Sequence, residues 1–327
     1  MPRMSPPRVA LAAAFGTTMS LALLASSAHA QNAQAAGADT PPPPPNTQLT
    51  ANPTQTNPTQ AGGWYRWDDG QPRLWNVQAE LSYWYVALSG DVTMPGSASD
   101  EVSFDDLNLD SAEGAVMAEL HIRRDRWRFS ANAYDVSSSG DATVTDSVLT
   151  VGDAIAFGGE TVSSSVDLTS FELTASYRFF ESARERRFDG RYKSVSSLDA
   201  VVGARFYDVD VEFDVDLSTR TSVFLTPSEA DAEQLFAHPV VGLRWEWEIH
   251  EQFDVNVQST IGGWSFAENT SYSWDIMVGF AWRPTPNFGA QIGYRNQFFH
   301  FEDTQSAGDF EWSGGVAGVY AGAVIRF

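Results

Sequence analysis

Histidine and carboxylate are the residue types here that could move a proton. Beyond residue 31 the histidines are His121, His238, His250 and His300, and Asp and Glu together number 42 in the 327-residue chain. A histidine held beside a carboxylate can activate water as a general base. His238 and His300 fall nearer the long connections, with abundant carboxylates around them, which leaves a water-activating His–Asp pair open. No Gly-x-Ser-x-Gly nucleophile elbow and no metal-ligand histidine motif accompanies them. Cysteine is absent. That removes disulfides, Cys-ligated zinc, iron–sulfur clusters, thiol nucleophiles and the N-terminal anchor of a lipoprotein. A second constellation is Asp208, Asp210, Glu212, Asp214 and Asp216, which alternate along one segment. Hard oxygen ligands of this kind suit Ca2+ or Mg2+, although no twelve-residue calcium loop is present. The competing reading is a solvated, repulsive surface that keeps the protein soluble and monomeric. Beyond such ions the sequence calls for no cofactor.

Lys and Arg total 20, leaving a net charge of −22. Nucleic acid needs a basic footprint, so it is excluded as a partner. Aromatic residues make up 13 % of the chain and mean hydropathy is −0.24. No internal run reaches the roughly 18 apolar residues of a membrane helix. A chain of this kind can still cross a bilayer, but only as a closed barrel.

The elements that must carry these residues begin after a leader. Arg3 and Arg8 precede an apolar core over Val9–Leu24, and Ala28-His29-Ala30 forms a small-residue cleavage site before Gln31. Residues 1–30 therefore read as a secretory signal peptide. Residues 31–63, rich in Pro, Gln and Thr and including Pro41–Pro45, read as a disordered linker that cannot bury enough apolar area to offset its ordering entropy. Residues 64–327 form the folded domain.

From Trp75 onward the period is two. Trp274, Ile276, Val278, Phe280 and Trp282 share one face and Asp275, Met277, Gly279, Ala281 and Arg283 the other. The same alternation runs through Val241–His250, Phe171–Phe180 and Val319–Phe327. It predicts strands at 75–89, 113–122, 127–140, 165–180, 198–211, 239–250, 253–266, 272–283, 288–301 and 312–327. Short connections at Arg123–Arg126, His250–Gln252 and Pro284–Asn287 and an intermediate one at Glu181–Ser197 lie at one end. Long ones at Gly90–Ser111, Gly140–Val166 and Glu212–His238 lie at the other, with Ala267–Ser271 and Glu302–Glu311. In the third long connection, Thr226-Pro227-Ser228-Glu229 has the form of a capping box and predicts a short helix through about Phe236.

An even strand count with alternating turn lengths is the layout of an all-β, closed antiparallel up-and-down transmembrane β-barrel. Ten strands are expected, and eight or twelve are the alternatives. Twelve would require pairs from Trp64–Trp67 or from the 140–166 connection, which is expected instead to prolong its flanking strands. The segment Val319–Phe327, with Val319, Ile325 and Phe327 outward and Tyr320 between them, resembles the C-terminal assembly signal of bacterial outer-membrane proteins. Together with the leader and the loop pattern, residues 75–327 resemble the outer-membrane barrel superfamily of the OmpA-transmembrane and opacity-protein kind. The resemblance implies a Gram-negative outer-membrane location with both termini periplasmic, insertion by periplasmic chaperones and the barrel-assembly machinery, and contact with lipid and lipopolysaccharide.

The loops on the long side, with adjoining strand ends, carry 24 acids against the single base Arg220, whereas the short side holds Arg123, Arg124, Arg126, Arg184, Arg186, Arg187, Arg191 and Lys193. With apolar residues facing lipid, the inward acids are Glu80, Glu119, Glu172, Asp199, Glu246, Glu248, Asp254 and Asp275. The inward bases are Arg128, Arg178, Arg205, Arg244, Arg283, Arg295 and Arg326. Near-balance predicts Arg–carboxylate networks across a mostly plugged lumen rather than an ion-selecting field. Inward Gly279, Gly293 and other glycines make room for Tyr134, Tyr207, Trp264 and Tyr320. The favoured function is a structural or surface-interaction barrel without enzymatic activity. The alternatives are a narrow small-solute pore and an outer-membrane hydrolase of the ten-stranded kind, whose Asp and His sit at the outward rim.

Overall fold

Ten strands pair in sequence, each antiparallel to the next, and the last pairs with the first. The computed structural model describes residues 75–96, 99–145, 148–185, 192–216, 228–250, 252–266, 269–305 and 308–327. The leader, the linker, Trp64–Trp67, Arg186, Arg187, Arg191, Arg220, Thr226 and Pro227 lie outside them, as do the side chains of Arg184, Lys193, His250 and Trp264. In chain order the strands are β1 (Asn76–Thr93), β2 (Glu101–Ser103), β3 (Glu113–Arg124), β4 (Trp127–Thr143), β5 (Val148–Val151), β6 (Ala154–Phe157) and β7 (Thr161–Glu185). They continue with β8 (Tyr192–Val215), β9 (Glu229–His250), β10 (Phe253–Phe266), β11 (Asn269–Trp282), β12 (Phe288–Gln305) and β13 (Gly308–Arg326).

The ring runs β1-β3-β4-β7-β8-β9-β10-β11-β12-β13 and back to β1. Closure is extensive: Gln78 faces Arg326, Tyr85 faces Val319 and Thr93 faces Glu311. The Phe327 amide adds a bond to the Val77 carbonyl at 2.9 Å. Closing the sheet removes every long free edge, which is the general remedy for unpaired strand groups. β2 is a short addition on β1, and β5 and β6 form a separate hairpin within the β4–β7 connection. That connection also prolongs its flanking strands, since Ser139–Thr143 pair with Thr161–Ser165.

Two expectations in the third long connection are corrected. Instead of a loop over Glu212–His238 with a helix near 229–236, β8 continues to Val215 and β9 begins at Glu229. Asp214 pairs with Glu229 and Tyr207 with Phe236. The reason is legible in the side chains. Val209, Val211, Phe213 and Val215 on β8, with Ala230, Ala232 and Phe236 on β9, keep the period of two and are buried. A local capping signal does not compete with a ladder that buries an apolar row.

Along β8 the alternation keeps its phase while its polarity changes sign. Val202 on the outside is 56 % exposed, and Arg205 on the inside is fully buried. A few residues on, Asp208, Glu212 and Asp214 occupy the outside and Val209, Val211 and Phe213 the inside. β4 makes the same exchange, from outward Trp127 and Phe129 with inward Arg128 to outward Asp135 with inward Val136. The short-turn half of the barrel is thus apolar outside and ionic inside. The long-loop half is acidic outside with an apolar core. On β8 the outward apolar run spans Leu198–Phe206, matching the roughly 9–11 residues a membrane strand needs.

The long-loop core gathers Trp84, Val86, Leu88, Val92, Phe104, Leu168, Val211, Phe213, Phe236, Phe299, Phe301, Phe310 and Trp312 into one buried cluster. Its rings interlock: Phe236 stacks on Phe301 at 4.4 Å, Phe299 on Phe301 at 4.6 Å, and Trp312 meets Phe299 edge-on at 4.6 Å. Burial of each such side chain contributes about 1.5–3 kcal/mol.

Candidate functional site

The inward row of each strand in the short-turn half meets its neighbours across the lumen. The core of the belt comes from four strands: Arg128 on β4, Arg178 on β7, Asp199 on β8 and Glu246 on β9. Arg128 Nη1 lies 2.5 Å from Glu246 Oε1, Arg178 Nη2 is 2.8 Å from Glu246 Oε2, and Arg178 Nε is 3.0 Å from Asp199 Oδ1. Arg123 on β3 approaches the same Glu246 at 3.8 Å. One acid thus gathers three guanidinium groups, which bidentate geometry on a planar carboxylate allows.

A second group sits nearer the long-loop half. Arg205 Nε donates to Glu172 Oε2 at 2.6 Å, and its Nη2 reaches Thr260 Oγ1 at 2.7 Å and Asp275 Oδ2 at 3.1 Å. Arg295 donates to the same Asp275 at 2.7 Å and 3.2 Å and to Asn132 at 3.0 Å. Arg295 also lies over the Tyr134 ring at 4.9 Å. There the ionic belt meets the apolar core: Tyr134 donates to Gln297, which donates to Tyr207 at 2.7 Å. A third group lies toward the short turns, where Arg283 is 2.6 Å from Asp254 and 3.7 Å from Glu248, and Arg326 is 3.7 Å from Asp254. Arg244 donates to Gln258 at 2.7 Å.

Every carboxylate and guanidinium assigned inward from the sequence lies on the lumenal face, either buried or partly buried. Tyr320 also points inward, against Gly279 and Gly293, where a Cβ would strike its ring or hydroxyl. Val319, Ile325 and Phe327 are exposed on the outer surface at 54 %, 42 % and 56 %.

The other candidates are scattered. Asp208, Asp210, Glu212 and Asp214 lie along the outer face of β8, with Asp216 just past its end. Among the described residues they are not drawn together as a metal-ligand cluster. His238 is buried against Ser271 at 2.8 Å and Ser273 at 3.1 Å and packs on Tyr207 and Phe301. His300 approaches Glu311 at 3.7 Å. Among the described residues, the histidine that meets two carboxylates is His121, by the short turns, whose Nε2 stands 3.4 Å from both Glu80 and Glu119. It is not one of the two histidines singled out from the sequence, His238 and His300. The signal that could have found it is Glu119-x-His121, which puts both side chains on one strand face.

Beside the belt, and sharing Arg128 and Glu246 with it, a cavity is lined by Gln78, Glu80, Glu119, His121, Glu248 and Asp254 among others. A closed ten-strand ring with an apolar outer belt around an ionic interior decides the class. The chain has the architecture of an outer-membrane β-barrel. No protein-family model matches it, and a comparison with curated proteins gives no match. Among solved structures, the outer-membrane protease OmpT from Escherichia coli is similar over 77 % of this chain and 97 % of its own, at 10 % identity and a TM-score of 0.46. Neisserial surface protein A matches over 78 % of this chain and 98 % of its own, at 11 % identity and a TM-score of 0.29. The attachment invasion locus protein Ail of Yersinia pestis matches over 77 % and 99 %, at 12 % identity and a TM-score of 0.26. The assignment of the barrel rests on the strand ring itself rather than on these likenesses.

Proposed function

We propose that this barrel is an integral outer-membrane protein with a structural and surface-interaction role, its lumen closed and its acidic long-loop half standing outside the cell. The observation that carries this reading is the change of polarity along single strands, with outside and inside exchanging character at the same level. An apolar exterior belongs in hydrocarbon, flanked by aromatic girdles. An acidic exterior around an apolar core belongs in water. The wall that follows the membrane level is therefore a projecting, water-exposed extension of the barrel, bearing Asp135, Asp167, Asp208, Glu212, Asp214, Asp231 and Glu233. Both termini then lie on the periplasmic side, where the short turns are. The immediate partners are membrane lipid and lipopolysaccharide, reached after insertion by chaperones and the assembly machinery.

Closure is supported at two levels. The ionic belt ties strands that are not neighbours in the ring, as Arg205 on β8 does to Asp275 on β11, and the aromatic cluster fills the level above. Ten strands enclose a lumen close in width to the filled eight-stranded case and far from the water channel of a sixteen-stranded porin. No catalytic centre is assigned, because the histidines of the long-loop half contact serine, aromatic rings and one distant carboxylate. Planar-bilayer recording on refolded protein is expected to give no conductance steps, and regular steps would overturn the closed lumen. Because the chain has no cysteine, Glu212→Cys gives a single labelling site. A membrane-impermeant thiol reagent is expected to label it on intact cells, and labelling only after the envelope is opened would overturn the orientation.

A further inference from the structure

One corner of the lumen is balanced differently from the rest. Glu80 on β1 and Glu119 on β3 are directly opposite in the ladder, and like charges facing across a sheet repel. Elsewhere in the belt the acids Glu172, Asp199, Glu246, Asp254 and Asp275 each meet an arginine. The ion pairs found for Glu80 and Glu119 are with His121, the next inward residue of β3 after Glu119. The ligand atoms of these three side chains all lie within 4.8 Å of one another.

The separations are informative. His121 Nε2 is 3.4 Å from Glu80 Oε1 and 3.4 Å from Glu119 Oε2. A good N–H···O bond is about 2.7–3.2 Å. Two ligands about 2.1 Å from a tetrahedral ion are about 3.4 Å apart. The outer shell fits as well. His121 Nδ1 is 2.8 Å from Ser130 Oγ, so the ring is held with Nε2 toward the carboxylates, as ligating histidines usually are. Gln78 donates to Glu80 and accepts from Arg326, which orients the second ligand. The nearby guanidinium groups on the cavity wall are engaged elsewhere, Arg128 with Glu246 and Arg244 with Gln258.

We propose that Glu80, Glu119 and His121 bind one divalent transition-metal ion, of the zinc or manganese class, on the wall of the cavity they help to line. One imidazole and two carboxylates are too nitrogen-poor for copper and too imidazole-bearing for a calcium preference. Three protein ligands leave a further position for water from the cavity. An ion there would neutralise the facing glutamates and tie β1 to β3 next to the β1–β13 closure.

The test uses the full refolded protein, stripped of metal and then dialysed against micromolar Zn2+ in millimolar Ca2+, so that the acidic outer wall is already occupied. Bound zinc is counted by elemental analysis, and Co2+ replaces it for visible spectroscopy. One zinc per chain and the d–d bands of a low-coordinate cobalt site are expected. The isosteric Glu119→Gln and the His121→Asn variants should lose both signals, and Ser130→Ala should keep the stoichiometry but bind about 10- to 100-fold more weakly. Heat-modifiable gel mobility checks that each variant is folded. If the wild type takes up no stoichiometric zinc and gives no cobalt bands, the proposal is overturned, and a protonated His121 is what holds the two glutamates. Equal uptake by wild type and folded His121→Asn would overturn it too, by assigning the ion to another site. Should both variants fail to fold, the wild-type cobalt spectrum decides.

Discussion

The two halves of this barrel solve the same problem with opposite materials. Around Arg205 the interior is held by charge: a fully buried guanidinium shared among Glu172, Asp275 and Thr260, inside a wall whose outer face carries Val202 and Leu173. Around Phe301 the interior is held by packing: Phe236, Phe299, Tyr207 and Trp312 interlock, inside a wall whose outer face carries Asp208 and Glu212. With the placement proposed above, the difference follows from the surroundings. In hydrocarbon the apolar residues gain nothing by turning inward, so the lumen takes the polar side and must satisfy it internally. In water the ordinary hydrophobic rule returns and the same barrel acquires a globular core. One set of strands thus encloses an ionic interior and an apolar one, joined where Tyr134, Gln297 and Tyr207 hydrogen-bond across the boundary.

This contrast can be broken or sharpened by substitution. The largest effect is expected from Arg205→Ala, which strands Glu172 in the lumen. Removing one partner of a buried pair costs about 3–5 kcal/mol, read by urea unfolding in lipid vesicles with tryptophan fluorescence. A cost under about 1 kcal/mol would mean that water reaches the belt. Next comes Leu88→Ala in the long-loop core. At 1 % exposure, it should cost about 2–5 kcal/mol by the same measurement. If it proves nearly neutral, that half is loosely packed and the contrast fails. Gly293→Ala pushes a methyl group against the Tyr320 ring and should cost about 1–3 kcal/mol through overpacking. The smallest change is expected from Asp208→Asn with Glu212→Gln on the exposed outer wall, within about 0.5 kcal/mol. A large loss there would reveal a structural role for the acids. With the closed lumen proposed above, the two halves block it in series, and neither Arg205→Ala nor Leu88→Ala should open a conductance on its own.

The membrane half was legible residue by residue. Strict alternation, the arginines on the inward phase and the turn lengths were enough to place the short-turn ends of β10–β13 to within one residue, because a period of two admits one inward face. The long-loop half was read less well. Taking apolar residues as lipid-facing is correct at Val202 and reversed at Val209, so β8 and β9 were cut short and a capping box was given weight that the ladder overrode. For the candidate site, the inward arginines and acids could be assigned from phase alone. Their partners could not: Arg205 and Asp275 are separated by 70 positions, and only the closure of the ring sets which strands face each other across the lumen. The meeting of His121 with Glu80 was not legible for the same reason, since Glu80 arrives from another strand.

What this chain's sequence determined alone is the alternation, and with it an all-β barrel whose strand faces were known before any coordinate. Each strand encodes its own two faces because successive side chains point to opposite sides of the sheet. What tertiary structure decided is the level at which inside and outside exchange character, which charges meet, and which glutamates confront each other. Those depend on register and on closure around the ring, and both are properties of ten strands taken together.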